Sequence, residues 1–355
     1  MKSKIFNIFI FAVVAVGVTL LCSCTDMDGD GNGTVIWEGS VNPENNSFHN
    51  PVWEPSLDAG TVVRGAGGFT AISTTTQWAN GVTFYCPTLN SNNLSTWTSG
   101  NQAFIEEALP AWAEGRINSI TIDYARAVTG ATYWMFYTLE GQNTIGAATA
   151  TTAAGPYVDK GEFLKAEELG VTTLKDPFLI VASTNYYLAY TTENGTYVQK
   201  LSLKRTGATR SGQPTLIANA QMGDVGIVRV SATQFYLIGT CKDGNATSLR
   251  YGKAEKITGP YLDKNDADMA ETSVGEPIVV GGTEIVNPEN PMRGFLNSAG
   301  THIYLAYNAT EAGKEQMQSG YARKPLFIAP LELDEEGWFK QVVTAQKGWT
   351  QPLYE

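Results

Sequence analysis

The sequence predicts an all-β chain folded as a five-bladed β-propeller, and three observations carry that expectation. First, no long stretch of the body holds a helical apolar period; the longest candidate, residues 102–115, is broken by Pro110. Second, short runs rich in aromatic and aliphatic residues recur between clusters of Gly, Asn, Asp and Thr. One of them returns five times: Phe69-Thr-Ala-Ile-Ser-Thr74, Tyr133-Trp-Met-Phe-Tyr-Thr138, Tyr186-Tyr-Leu-Ala-Tyr-Thr191, Phe235-Tyr-Leu-Ile-Gly-Thr240 and Ile303-Tyr-Leu-Ala-Tyr-Asn308. Measured between their last residues, the runs lie 64, 53, 49 and 68 residues apart. A period of that length, several strands long, means blades that cannot bury their faces alone. Apolar residues on both faces of each run suit a strand sandwiched between neighbouring blades. Third, Gly155-Pro156-Tyr157-Val158-Asp159-Lys160 echoes in Gly259-Pro260-Tyr261-Leu262-Asp263-Lys264. Proline cannot donate to a ladder, so Gly-Pro punctuates a strand end.

The elements follow in chain order. Lys2 and Lys4 precede an apolar run, residues 5–21, that only Asn7 and Thr19 interrupt with polar side chains. A basic start followed by a short apolar run reads as a secretory signal over residues 1–23, and a retained anchor is the competing reading. The ending Leu21-Cys22-Ser23-Cys24 resembles the bacterial lipobox, which implies a lipidated Cys24 as the first mature residue. Residues 24–49 then form an acidic tether and lead-in segment. Asp26, Asp28, Asp30 and Gly31 mimic the opening of a calcium loop, but the twelfth position is Trp37, where a bidentate Glu is needed. Acidic residues just after the cysteine resemble the surface-export signal of Bacteroidetes lipoproteins, implying a protein held at the outer membrane or cell surface by its lipid alone. The propeller domain is expected over residues 50–355, with its ligand site at one end of the central channel, where loops from all blades converge.

Composition narrows the function. The 355 residues are 43% hydrophobic and 17% charged, ordinary for a globular chain. The net charge is −11, and −13 once the signal is removed, so nucleic acid is not an expected partner. His49 and His302 are the only histidines, too few for a multi-histidine metal site or a histidine-based triad. Cys86 and Cys241, 155 residues apart, read as buried free thiols, with a disulfide as the alternative.

The motifs in order resemble glycoside hydrolase family 43, above all its arabinanase-like members. Asn90-Ser-Asn-Asn-Leu-Ser-Thr-Trp97 resembles the family's S-K-D-L-x-x-W strand. Ile145-Gly-Ala-Ala-Thr149 leading to Gly155-Pro156-Tyr157 resembles IGxATSxxxxGPY, residues 239–264 resemble the fourth arabinanase blade, and Leu333-Asp-Glu-Glu-Gly-Trp338 resembles the closing W-D-x-D-G-W. The resemblance covers residues 50–338. It implies inverting hydrolysis of arabinan, xylan or related polysaccharides and oligosaccharides by three carboxylates at the channel. One activates a water, one protonates the leaving oxygen, and a third tunes and holds the acid.

Carried over residue by residue, the resemblance makes Asp58 the base, Asp176 the positioning carboxylate and Asp224 the acid. Lys175-Asp176-Pro177-Phe178 resembles I-D-P-x-x-F closely. Asp224, counted back from Phe235-Tyr236-Leu237, stands where the family has Glu, one methylene longer. In the first blade, registering Asp58-Ala-Gly-Thr-Val-Val-Arg64 on Thr61 and Arg64 puts Ala59 at the base position and Asp58 one residue early. A slip of one residue turns a strand side chain to the other face unless a bulge absorbs it, so Asp58 reads equally as the base or as a turn residue. The fifth-blade G-P-G-H-N, whose histidine helps hold a metal or water in arabinanases, is replaced by Asn290-Pro-Met-Arg-Gly294. Arg293 there suits either a clamp on a carboxylate or sugar hydroxyls, or a surface position. The second-blade W-A-P-D is reduced to Asp123. Trp53 and Trp112 read either as sugar platforms at the channel mouth or as plugs in a blade gap. No cofactor is expected, and a channel calcium ion stays open. Two functions compete: an inverting glycosidase, and a glycan-binding propeller that has lost the chemistry.

Overall fold

The computed structural model describes residues 36–354, apart from 38–40, 43, 45, 66, 80–81, 106–107, 111, 113–115, 127, 129–132 and 343–349. The expected signal, Cys24 and the acidic run that follows it lie outside the described residues. Among the described residues no helix is long and apolar enough to cross a membrane.

The body is five antiparallel blades. Blade I orders Thr61–Gly65, Gly68–Ile72, Pro87–Ser91 and Trp97–Gln102 from the channel outward, with Ile36–Trp37 added at its outer edge. Blade II is Ile117–Tyr124, Tyr133–Leu139, Thr144–Ala150 and Val158–Lys165. Blade III is Lys175–Ala182, Asn185–Thr192, Gly195–Lys204 and Gly207–Ala218. Blade IV is Met222–Arg229, Phe235–Asp243, Ala246–Ala254 and Glu276–Val280. Blade V has Ile285–Leu296, His302–Glu311 and Leu326–Glu332. The first strands of the five blades touch in the cyclic order I-II-III-IV-V-I, which closes a ring around the channel.

The five repeated runs fall on the second strand of each blade, as expected. Their apolar faces fill five hydrophobic clusters, one in each gap between neighbouring blades. A propeller needs this two-sided burial because neither face of a middle strand meets water. The Gly-Pro-Tyr echo is structural as well. Tyr157 and Tyr261 are fully buried, and each hydroxyl donates to the carbonyl four residues back, that of Ala153 at 2.9 Å and of Ile257 at 3.0 Å. Gly155 and Gly259 sit at φ +90° and +77°, a conformation that favours glycine.

The ring is closed by the beginning of the body. Val52 N–H donates to Leu326 O at 2.9 Å, Leu326 N–H to Trp53 O at 3.0 Å, and Leu57 N–H to Lys324 O at 2.7 Å. Residues 52–57 thereby form the outer edge of blade V, and the Asn50 carboxamide clamps the Ile328 N–H and C=O at 2.8 Å each. Beyond it, Ser47–His49 pairs with both Val41–Asn42 and Thr350–Pro352. Cys86 and Cys241 are buried and free, which agrees with the free-thiol reading.

Candidate functional site

Each blade delivers one short segment to the same end of the channel, just where its first strand begins. The ladders there are interrupted: pairing skips between Lys175 and Phe178, between Gly223 and Gly226, and between Glu289 and Arg293. Such bulges free two or three residues from the sheet and turn their side chains toward the axis. Four blades use the same backbone to do it. Ala59, Asp176, Asp224 and Asn290 all have positive φ, at 38°, 51°, 45° and 50°. Asp and Asn tolerate that conformation, and an alanine there is unusual.

These segments line one small cavity of about 20 Å³, walled by Ala59–Thr61, Ser119–Ile120, Asp176–Phe178, Asp224–Val225 and Asn290–Met292. The walls approach closely: a Cβ on Gly226 would lie 2.5 Å from the Pro291 carbonyl oxygen. Asn290 ties the fifth segment down, donating to Asn308 Oδ1 at 2.9 Å while its own N–H meets the Thr240 hydroxyl at 3.0 Å.

Asp176 and Asp224 share this cavity, close enough for each carboxyl to act on the other's charge. Burial, and then repulsion from Asp176, push the Asp224 carboxyl up to about 7, while Lys175 pulls the other way. Lys175 Nζ lies 3.1 Å from Asp176, whose side chain is 14% exposed, and Asp176 holds the ammonium above its ordinary value. One carboxyl of the pair therefore keeps its proton near neutral pH.

Asp58 is placed beside this cavity rather than in it. It lines a neighbouring groove of about 280 Å³ with Ser56, Thr74, Arg116, Asn118 and Glu140, on the same face between blades I and II. The residue at the blade I equivalent of Asp176 is Ala59, as the register on Thr61 and Arg64 gives. The Asp58 backbone serves the turn reading, since its carbonyl accepts from the Thr74 N–H at 3.1 Å and hydroxyl at 2.9 Å. Its carboxyl nevertheless takes part in the site's electrostatics. Burial raises it, and Lys324 opposes that effect more strongly than Glu289 adds to it.

Sequence reasoning missed Glu289 and Lys324. The two form an ion pair on blade V. Burial works against the Lys324 charge, and Glu289, Asp58 and Asp224 together overcome it, so the ammonium is held above its ordinary value. Glu289 carried a signal, a carboxylate directly before the altered fifth-blade motif. Lys324 carried none, because its approach depends on a chain segment distant in sequence.

Three expected positions are corrected. Trp53 is 4% exposed and belongs to the core between blades V and I, so it is a plug and not a platform. Trp112 stacks on Tyr137 with ring centroids 5.9 Å apart, and a Cβ on Gly146 would lie 2.5 Å from its ring, so it caps the core between blades I and II. Arg293 is neither on the surface nor open to sugar. Its Nη1 donates to Asp123 Oδ2 at 2.8 Å, and its Nη2 donates to the carbonyls of Ile122 and Leu179, both at 3.1 Å. The carboxylate-clamp reading is the one the structure supports.

The family model for glycosyl hydrolases family 43 matches residues 48–339. The chain belongs to glycosyl hydrolase family 43. Solved family 43 folds resemble it over most of their length. The α-L-arabinanase of Cellvibrio cellulosa, solved with arabinohexaose, is 19% identical with a TM-score of 0.61, covering 80% of this chain and 94% of its own. An exo-1,5-α-L-arabinanase from a bovine ruminal metagenomic library is 20% identical at 0.61, covering 84% and 99%. The endo-arabinanase of Bacillus licheniformis is 18% identical at 0.61, covering 81% and 97%. No curated protein sequence matches significantly.

A channel metal ion, which the arabinanase resemblance leaves open, does not fit this chain. Arg293 stands where the arabinanase histidine would be, bears its own positive charge and has no lone pair to offer a cation. Among the described residues no group of three His, Cys, Asp or Glu side chains is arranged to hold a metal ion.

Proposed function

We propose that this family 43 protein is an inverting glycoside hydrolase of arabinan, xylan or a related polysaccharide, with Asp224 as general acid. The observation that carries the reading is the Asp176–Asp224 pair: two carboxyls in one desolvated cavity, with one raised to about 7. A carboxyl protonated near neutral pH can give its proton to the glycosidic oxygen as the bond breaks. Asp176 keeps that proton on Asp224 by repulsion. The water that attacks from the opposite face needs a second carboxylate at some distance, roughly 6.5–9.5 Å from the acid in inverting enzymes. Asp58, on the other side of the mouth, takes this part from one residue before the family's base position. Lys324, paired with Glu289 and drawn also by Asp58 and Asp224, offsets the negative charge that appears on Asp224 once it has given up its proton.

The second reading, a glycan-binding propeller without turnover, is favoured by Ala59, which puts a methyl group where the pseudo-symmetric backbone elsewhere carries Asp or Asn. The deciding experiment is a panel of arabinan, xylan and galactan, assayed for both hydrolysis and binding with wild type and Asp224→Asn. Turnover by wild type that Asp224→Asn removes supports the hydrolase. Binding by both with turnover by neither establishes the binder.

The cellular setting belongs to the same reading. Lipidation of Cys24, supported by the Leu21-Cys-Ser-Cys24 ending and the acidic residues after it, would hold the enzyme on the outer membrane facing its polysaccharide. Cys24→Ala should release the protein from membrane fractions; a variant that stays membrane-bound removes the lipid anchor from the account.

A further inference from the structure

The geometry points to Arg293 as the resident cation of the channel, which takes over the structural part of a metal ion and holds the strand that carries Asp176 in place. The innermost strands of a propeller turn one unpaired edge to the channel, and their carbonyls there need donors from outside the ladder. Arg293 supplies them to two blades at once. From the first strand of blade V it reaches the Ile122 carbonyl in blade II and the Leu179 carbonyl in blade III, while Nη1 takes the Asp123 carboxylate. Its guanidinium also lies over the Phe178 ring, 5.0 Å from the centroid. A planar fork that meets a carboxylate, two carbonyls and a ring face joins three of the five inner strands through one side chain.

The position is internal. The Arg293 and Asp123 side chains are only 14% and 18% exposed. Met292, the preceding residue, lines the cavity of Asp176 and Asp224, as does Phe178. Leu179 lies three residues beyond Asp176, and both its polar backbone groups are taken: its N–H donates to the Thr121 hydroxyl at 2.9 Å and its carbonyl accepts from Arg293. Arg293 is thus a positioning residue, bonded to the strand that carries Asp176 and next in sequence to a residue of the cavity wall. A divalent cation in the same space would meet a fixed positive charge and find the two carbonyls already engaged.

The test is thermal unfolding of the purified chain with a chelator and with calcium, magnesium or manganese, for wild type, Arg293→Met, Arg293→Lys and Asp123→Asn. Wild type should melt at the same temperature in every condition. Arg293→Met, which leaves the buried Asp123 carboxylate with the Tyr124 N–H but no cation, should melt about 5–10 °C lower, and Arg293→Lys should fall between the two. A wild-type midpoint that drops with chelator and recovers with calcium overturns the inference, and so does an Arg293→Met midpoint equal to wild type. Neither arm depends on the hydrolytic reading. A third arm does: on the glycan that wild type cleaves, assayed well below every midpoint, Arg293→Lys should lower kcat about tenfold at unchanged KM. Asp123→Asn, which loses the ion pair but keeps the Leu179 contact, should retain kcat. Equal kcat loss in both variants overturns the positioning role, whereas absence of wild-type turnover counts against the hydrolase alone and leaves the metal arms standing.

Discussion

Blades III and IV and blades V and I present the same backbone to the channel mouth and arm it differently. In all four the residue at the bend is left-handed, yet the side chains are Asp176 and Asp224 on one side, Asn290 and Ala59 on the other. The first pair shares one cavity, and the repulsion between its carboxyls keeps a proton on Asp224. The second offers an amide tied to Asn308 and a methyl group, with carboxylates displaced by one residue to Glu289 and Asp58. The comparison teaches that the repeat fixes where a side chain can stand and leaves its chemistry to the individual blade.

The sharpest way to break the comparison is to disarm the strong side. Asp224→Asn should lower kcat by about 10²–10⁴-fold, the usual worth of a general acid, with glycan affinity retained in calorimetric titration. The weak side can be rearmed. If Asp58 serves as base, Asp58→Asn should remove turnover, and adding Ala59→Asp should restore it, since aspartate suits the left-handed bend better than alanine. Failure of the double variant would show that the blade I position no longer contributes.

The seam between blades V and I offers a control that concerns stability and not chemistry. Trp53→Ala should cost about 3–5 kcal/mol of unfolding free energy, read by denaturant titration, without altering the site of the molecules that remain folded. Asp176→Asn should relieve the repulsion on Asp224 and move the basic limb of the kcat profile to lower pH. The smallest effect concerns stability against pH. Asp224 has a folded value of about 7 against 3.8 unfolded, so the folded state binds the extra proton between them. Stability should therefore decline as pH rises through that interval. Asp224→Asn should remove the decline and stabilise the protein above pH 7 by on the order of 2 kcal/mol.

Much of the architecture was legible because it is repeated. Five aromatic runs and a doubled Gly-Pro-Tyr gave blades, and the middle strands, buried on both faces, tolerate little but apolar residues. Asp176 was legible because Asp-Pro at a strand start marks the bulge, and Asp224 because it stands at nearly the same distance, 11 residues against 10, from its own run. Trp53 was not. Its burial depends on residues 52–57 crossing to Leu326, a pairing that no local pattern announces. Asp58 stayed ambiguous for a related reason, since its backbone serves a turn and its carboxyl answers to Lys324, which blade V supplies from the far end of the chain. Arg293 read either as a clamp or as a surface position, and no local pattern decides between them because its partners sit 114 to 171 residues away.

The seam has a consequence for how the protein is made. Asn50 pairs with Ile328, 278 positions later, so the segment that closes the ring is synthesised first and matched among the last. Contacts that distant are slow to form, and until they do residues 50–57 leave Val52, Trp53 and Leu57 with no sheet to cover them. A chain truncated before residue 324 should therefore be the form that holdase chaperones capture, and restoring residues 324–332 should release it.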